Sequence, residues 1–220
     1  MAARNYNQNC PIAKGLDVLG ERWTLLILRE LVGGPRRYGD LKSQLPGIAT
    51  NLLAHRLREL EDAGLVDRTE LPAPIARTVY TLSDVGWQKV PPVLRAIALF
   101  GVDLLEPNAD AMTPLNGFLA GILLGFDPAS SRDLAASYRI DIDGRRFELS
   151  VREGRLAAAA AVPDVSVTAR AADLVAARFA ATAAERKAAL KRVTVEGAKA
   201  DVDAMRNAFG LTGDPGVFAA

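Results

Sequence analysis

The sequence predicts an α+β protein of two domains, and three observations favour this prediction. Residues 38–66 have the pattern of a short helix, a tight turn, a longer helix and the start of a strand. Residues 107–114 hold two prolines and several turn-forming residues, which is typical of a linker. Asp143-Gly144 lies between two alternating segments and is a strong hairpin signal. The expected organisation is residues 1–106, a linker at 107–114, and residues 115–220.

The first half has the pattern of several helices and one β-hairpin. Gly20 ends a first helix whose apolar residues recur at helical spacing. Ser83-Asp84 is expected to cap the last helix, and Pro91-Pro92 should kink that helix or delay its start. The expected elements are helices at 12–19, 23–32, 38–45 and 50–63, strands at 65–70 and 77–82, and a helix at 84–105.

The pattern of the second half predicts an antiparallel meander followed by helices. Alternation is weak through residues 157–161, where a helix competes with a strand. Gly117, Gly121 and Gly125 form a small-residue stripe that indicates either tight packing or room for a ligand. The expected elements are strands at 138–142, 147–151, 156–162, 165–168 and 193–196, and helices at 171–179, 183–191 and 198–209.

The helix expected at Thr50–Ala63 has two contrasting faces. Leu53, Leu57 and Leu60 share one face, which is expected to pack on the preceding helices. The opposite face carries groups that can reach base edges or phosphates, since Asn pairs with adenine and Arg with guanine. Its residues are Asn51, Ala54, His55, Arg58 and Asp62, with Thr50 near the helix start able to cap it or bond a phosphate. An ordinary solvated face is the alternative for an isolated helix, but the flanking helix, turn and hairpin favour a winged helix-turn-helix.

Several blocks in this half closely resemble the HxlR family of bacterial winged helix-turn-helix transcriptional regulators. The resemblance covers about residues 8–106 and is carried by residues 10–13, 20–31, 34–41 and 57–66. It implies a homodimeric DNA-binding protein whose recognition helix matches Thr50–Ala63. It also implies dimer contacts through the N-terminal segment and through the long helix after the wing.

Two positions depart from the family pattern. Ala49 replaces the usual Ser before the recognition helix, so Thr50 is expected to take over the cap. The wing tip at residues 71–76 has no Lys or Arg, which makes Arg68 and Arg77 the better wing candidates for DNA contact. Arg36 and Arg37 precede the third helix and are further phosphate candidates, with solvated surface as the alternative.

Cys10 is the only cysteine and is a candidate redox sensor. The resemblance to the HxlR family suggests this role, since some members sense oxidants or electrophiles through a cysteine at the matching place. Lys14, one helical turn away, would favour the thiolate. The alternative is a small buried hydrophobic residue. Trp23 is expected to be part of the core rather than of a functional site.

Residues 115–211 look like a sterol-carrier-protein-like domain. The resemblance is carried by residues 138–144, 149–156, 163–168 and 193–197. That family wraps helices around a sheet and often encloses an apolar tunnel. The resemblance implies an effector-binding or oligomerisation role for this half. Four phenylalanines would then line a pocket, with ordinary core as the favoured alternative: Phe118, Phe126, Phe147 and Phe179.

Composition excludes several classes of function. The net charge is +1, so any basic surface for nucleic acid must be local. One His and one Cys exclude zinc sites built from these residues, and no phosphate-binding loop or nucleophile elbow occurs, so we expect neither an enzyme nor a cofactor. The N-terminus has no signal-peptide pattern, and residues 114–126 are too short to span a bilayer, which needs roughly 20 residues. A cytoplasmic location without membrane contact is expected.

The sequence therefore favours a sequence-specific transcriptional regulator. The expected partners are double-stranded DNA with a pseudo-palindromic operator, a second copy of the chain, and a small hydrophobic effector. The alternative is a carrier of lipids or hydrophobic ligands with a vestigial DNA-binding module.

Overall fold

The computed structural model describes residues 5–71, 77–101, 104 and 123–210. The chain divides into two compact units, Met1–Val90 and Pro91–Ala220. The expected linker at residues 107–114, together with Gly117, Gly121 and Phe118, lies outside the described residues. The expected domain limits therefore stay a prediction.

The first unit has a helix-turn-helix followed by a two-stranded wing. Its elements are α1 (Pro11–Leu19), α2 (Thr24–Val32), β1 (Arg36–Arg37), α3 (Tyr38–Gln44), α4 (Thr50–Asp62), β2 (Val66–Leu71), β3 (Arg77–Leu82) and α5 (Asp84–Gly101). Strand β3 lies between β1 and β2 and is antiparallel to both. Helix α5 begins in this unit and continues into the second.

The core of the first unit is formed by the inward faces of α2, α3 and α4. The prediction that Leu53, Leu57 and Leu60 are buried is confirmed. Glu30 is also fully buried, and Arg29 Nη2 lies 2.8 Å from its Oε1. That ion pair compensates the cost of removing the Glu30 carboxylate from water. Packing on this core fixes α4 with its other face outward.

Two expectations for the helix ends need correction. Trp23 does not open α2: it has the left-handed backbone φ of 79°, and the helix starts at Thr24. Trp23 is half-buried rather than fully in the core. Pro91 and Pro92 do not delay α5, which starts at Asp84 and includes both prolines. Each proline removes only its own N–H bond to the preceding turn, so the flanking turns still hold the helix together.

The expected cap of α5 is confirmed. Ser83 Oγ accepts a 2.9 Å hydrogen bond from Gly86 N and donates one of 2.6 Å to Gly64 O. A side chain at residue 86 would place its Cβ 2.2 Å from Leu65 O, so only glycine allows α5 to lie this close to the end of α4.

The second unit contains a five-stranded sheet and helices. Its elements are β4 (Ala135–Ile142), β5 (Arg145–Arg152), β6 (Arg155–Ala157), β7 (Val165–Ala169), α6 (Ala171–Phe179), α7 (Ala183–Leu190), β8 (Thr194–Gly197) and α8 (Lys199–Ala208). The strand order is β6-β5-β4-β7-β8. The expected α+β architecture of the chain agrees with these elements.

The expected antiparallel meander is wrong at one pair of strands, because β4 and β7 run parallel. Residues 158–164 carry the chain from β6, at one edge, to the far side of β4, and neither strand nor helix forms at 158–161. Ser150 Oγ donates a 2.6 Å hydrogen bond to Ala158 O, and Ala160 N donates one of 2.9 Å to Ser137 Oγ. The weak alternation in this alanine-rich segment thus belongs to a crossover above the sheet.

The sheet has one apolar and one polar face. Tyr138 and Phe147 are buried on the apolar face, where the Phe209 ring lies 5.6 Å from the Tyr138 ring. The polar face carries cross-strand ion pairs, including Arg139 Nε to Glu148 Oε1 at 3.0 Å. The Phe126 ring lies 5.5 Å from the Phe209 ring. Of the four phenylalanines expected at a pocket or in the core, Phe126 and Phe147 are core residues. Phe118 and the side chain of Phe179 lie outside the part of the chain that the structure describes.

Gly125 contributes to the same packing. A Cβ at this position would lie 2.4 Å from Phe209 O. For this member of the expected glycine stripe, close packing within the unit is therefore the reason for glycine.

Candidate DNA interface

Helix α4 presents its polar face to solvent. Thr50, Asn51 and Arg58 are exposed, and Ala54 is half-exposed. The His55 side chain retains 41% of its accessible surface. Because Leu53, Leu57 and Leu60 are buried on the other side of α4, these five residues lie together on one outward surface.

The start of α4 differs from the expectation that Thr50 caps it. Ala49 occupies the cap position without a side-chain bond, and Thr50 is already the first helical residue. A capping side chain must precede the helix, so the Thr50 hydroxyl is not in the required position. Asn51 Oδ1 instead accepts a 2.9 Å hydrogen bond from Leu52 N, while Tyr38 Oη donates one of 2.6 Å to Thr50 O. Asn51 itself is exposed.

The candidate arginines fall into two groups: the guanidinium groups of Arg37, Arg58 and Arg77 bind no protein oxygen among the described residues, whereas those of Arg36 and Arg68 do. Arg37, Arg58 and Arg77 are exposed. Arg36 donates to Gly33 O at 3.0 Å and to Pro35 O at 3.2 Å, at the end of α2.

Arg68 belongs to the second group, because its Nη2 lies 2.9 Å from Glu70 Oε1. Both side chains of this pair are exposed, which makes the pair weak. The wing tip at residues 72–76 lies outside the described residues.

Arg56 was not among the residues expected at the site, yet it has the densest set of ionic contacts on α4. Its Nη2 lies 2.7 Å from Glu21 Oε2, and its Nη1 lies 2.5 Å from Glu59 Oε2. Glu59 Oε1 in turn lies 3.2 Å from His55 Nε2. The spacing of Arg56 and Glu59 is visible in the sequence, but the contact with Glu21 spans 35 residues and has no local signal.

The turn that holds Glu21 also contacts the helix-turn-helix through Trp23. A Cβ added to Gly47, in the turn between α3 and α4, would lie 3.7 Å from the Trp23 ring. The Arg22 guanidinium lies 5.3 Å from the centre of that ring. The α1–α2 turn is therefore packed against the turn that precedes α4.

Comparisons with known proteins agree with this architecture. The family described as HxlR-like helix-turn-helix matches residues 18–109. The uncharacterized HTH-type transcriptional regulator sll1512 of Synechocystis is 40% identical over 108 residues, which are 49% of this chain and 79% of that protein. The chain belongs to the HxlR-like helix-turn-helix family.

Two further proteins are similar to this HxlR-like protein. The uncharacterized HTH-type transcriptional regulator YvaP of Bacillus subtilis is 32% identical over 105 residues, which are 47% of this chain and 96% of that protein. The solved structure of the reduced form of YodB from B. subtilis is 31% identical, with a TM-score of 0.40, and covers 46% of this chain and 99% of that one. The family match ends at residue 109, so the resemblance of residues 115–211 to sterol carrier proteins stays a prediction.

Cys10 of the HxlR-like protein is half-buried and has a free thiol at the residue before α1. The Lys14 ammonium, expected to favour its thiolate, lies 3.9 Å from Asp17 Oδ2. Redox sensing by Cys10 stays a prediction.

Two further properties concern the described residues alone. They contain no group of three or more His, Cys, Asp or Glu side chains that would hold a metal ion. Within the same ranges, no helix combines the length and the apolar character that crossing a membrane requires.

Proposed function

We propose that this HxlR-like protein is a DNA-binding transcriptional regulator that acts as a homodimer and places α4 in the major groove. The observation that carries this proposal is the outward face of α4, where Asn51, His55 and Arg58 lie opposite a completely buried leucine face. Relatives with the same family region are named HTH-type transcriptional regulators.

The side chains divide into base-reading and phosphate-binding groups. Asn51 has an amide suited to adenine, and Arg58 has an exposed guanidinium suited to guanine. Thr50, Arg37 and Arg77 bind phosphates. Since the net charge of the chain is only +1, these few local cations must supply most of the electrostatic attraction. Ala54 offers apolar contact to a thymine methyl group, and Arg36 and Arg68 are secondary candidates because both already bind protein oxygens.

Dimerisation is supported by exposed apolar side chains on two helices. On α1, Ile12 retains 74% of its surface and Leu16 is also exposed. Near the end of α5, Phe100 retains 77% and Ile97 is exposed. A second copy of the chain covers these side chains. Replacing Phe100 by Asp should shift the protein from dimer to monomer in light scattering, and a dimer of unchanged stability would exclude α5 from the interface.

The test of DNA binding uses fluorescence anisotropy across promoter fragments at several salt concentrations. Arg58→Ala should lose about 1–3 kcal/mol of discrimination at one base pair. Arg77→Ala is the matched control, because loss of a phosphate contact weakens binding to all sequences and reduces the salt slope by about 1. Equal, salt-sensitive binding to every fragment would refute sequence-specific regulation.

Control of the regulator is assigned to the second unit, through a small hydrophobic effector. Tyr138 supports this assignment, because its hydroxyl is buried without a hydrogen-bond partner among the described residues. A ligand hydroxyl or carboxyl group would satisfy it. Native mass spectrometry of the purified protein tests the assignment. A copurified lipid together with absence of DNA binding would favour the alternative function, a carrier with a vestigial DNA-binding module.

A further inference from the structure

Four residues form an ionic network that begins outside α4 and ends on its DNA-facing side. We call Glu21, Arg56, Glu59 and His55 the Arg56 network. Arg56 lies beside the leucine face of α4, and its side chain retains only 12% of its accessible surface. Carboxylate oxygens of Glu21 and Glu59 lie 2.7 Å and 2.5 Å from two different guanidinium nitrogens. Arg56 is therefore fixed from two sides.

This arrangement excludes Arg56 from direct DNA reading. Two carboxylates neutralise its charge, and little of its side chain is accessible to solvent. Charge-assisted hydrogen bonds at such a half-buried position are strong and only weakly screened by salt. Glu59 uses its second oxygen to hold His55, whose Nε2 lies 3.2 Å away. The network thus reaches a side chain of the proposed DNA surface.

The other end of the network is anchored in the α1–α2 turn. Gly20 is required there, because a Cβ would lie 2.6 Å from Leu16 O. Trp23, in the same turn, has a φ of 79° and packs against Gly47. The turn therefore contacts the helix-turn-helix at two points, one before α4 and one, through Glu21, on α4 itself. Two such points fix both the position and the rotation of the helix.

We propose that Glu21 is a positioning residue for DNA recognition: through Arg56 and Glu59 it sets the rotation of α4 and the orientation of the His55 ring, without contacting DNA. This inference rests on the proposed function, in which α4 reads the operator.

The first experiment compares Glu21→Gln with Glu61→Gln. Glu61 is a matched control because it lies on α4 and its side chain has no partner among the described residues. Glu21→Gln should lower the ratio of operator to nonspecific affinity by about tenfold, the effect of one charge-assisted hydrogen bond, with an unchanged salt slope. Glu61→Gln should retain the wild-type ratio, and Glu21→Asp should restore part of it.

Two results of this experiment would overturn the proposal. An unchanged ratio in Glu21→Gln, even with a lower melting temperature, means that Glu21 only stabilises the fold. A salt slope that steepens by about 1, with tighter binding to all DNA, means that Arg56 is a phosphate contact that Glu21 masks.

A second experiment examines the free protein, so that it does not depend on DNA. His55 is the only histidine, and its imidazole ¹⁵N signals in the untagged protein report on the network without ambiguity. Glu59→Gln and Glu21→Gln should both shift these signals, and Glu61→Gln should not. Unshifted signals in Glu21→Gln overturn the network, whereas a wild-type protein without operator preference overturns the proposed function.

Discussion

Replacing Tyr138 by Phe should leave the second unit as stable as the wild type or more stable. The Tyr138 side chain is 1% exposed, and its hydroxyl has no hydrogen-bond partner among the described residues. A buried, unsatisfied polar group costs about 1–3 kcal/mol. The variant removes this cost and keeps the ring contact with Phe209. We expect a gain of up to about 2 kcal/mol at neutral pH, where an ordinary Tyr-to-Phe change loses stability.

The same substitution should remove a dependence of stability on alkaline pH. Burial, followed by the carboxylates of Asp164 and Asp201, raises the pKa of Tyr138 from 10.0 to about 12. The folded state therefore favours the neutral phenol, while the unfolded chain ionises near pH 10. The part of the folding stability that depends on the phenol being protonated is therefore fully present below pH 10 and is lost as the pH rises from 10 to 12. Over that range the free energy of unfolding of the wild type should fall by roughly 3 kcal/mol from this cause, and that of the variant should not.

The assay must report on the second unit specifically. Both tryptophans lie in the first unit, and Tyr138 is the only tyrosine after residue 80. Hydrogen exchange of the β4 and β5 amides at pH 7 therefore reports on the second unit, and tryptophan fluorescence reports on the first. At pH 7 and pH 11, urea unfolding of wild type and variant should be compared side by side by far-UV circular dichroism, so that the first unit contributes equally to both. A loss of 1 kcal/mol or more at pH 7 would refute the reasoning, because it would mean that the hydroxyl has a partner.

Further substitutions test other contacts. Gly86→Ala should cost about 1–3 kcal/mol in urea unfolding of the first unit, because its Cβ would collide with Leu65 O. Gly15→Ala is its control: nothing lies within 4 Å of a Cβ there, so a gain of about 0.5–1 kcal/mol is expected, and equal losses in both would contradict the steric argument. Thr182→Ala should cost about 1 kcal/mol, because Thr182 Oγ1 accepts a 3.2 Å bond from Glu185 N at the start of α7. Unchanged thermal unfolding would show that this cap contributes nothing.

The helix-turn-helix was predictable because its signals are local. Leucines at helical spacing mark the buried face of α4, and Gly20 and Gly64 mark helix ends. Strand β1 was not predictable, since two residues show no alternation. The backbone of Trp23 was missed for a related reason: its positive φ, in a turn packed against Gly47, leaves no trace in the local sequence.

The topology of the second sheet was only partly predictable. The β4–β5 hairpin follows from the turn residues Asp143-Gly144, both of which have positive φ. The parallel pairing of β4 with β7 depends on where residues 158–164 cross, and an alanine-rich segment has no periodicity that indicates this. The Arg56 network was missed likewise, because its decisive contact joins residues far apart in the chain.

The parallel pairing has a consequence for how the second unit is made. Strands β4, β5 and β6 join through tight turns, so they can pair with one another before the crossover at residues 158–164 places β7. Until β7 arrives, β4 is an unprotected edge strand with free backbone donors and acceptors beside Tyr138, Ile140 and Ile142. This edge of β4 is therefore a place where copies of the chain can pair with one another during folding. A destabilising substitution in β7 should accordingly yield aggregated protein. A destabilising substitution in the peripheral strand β8 should yield protein that is soluble but less stable.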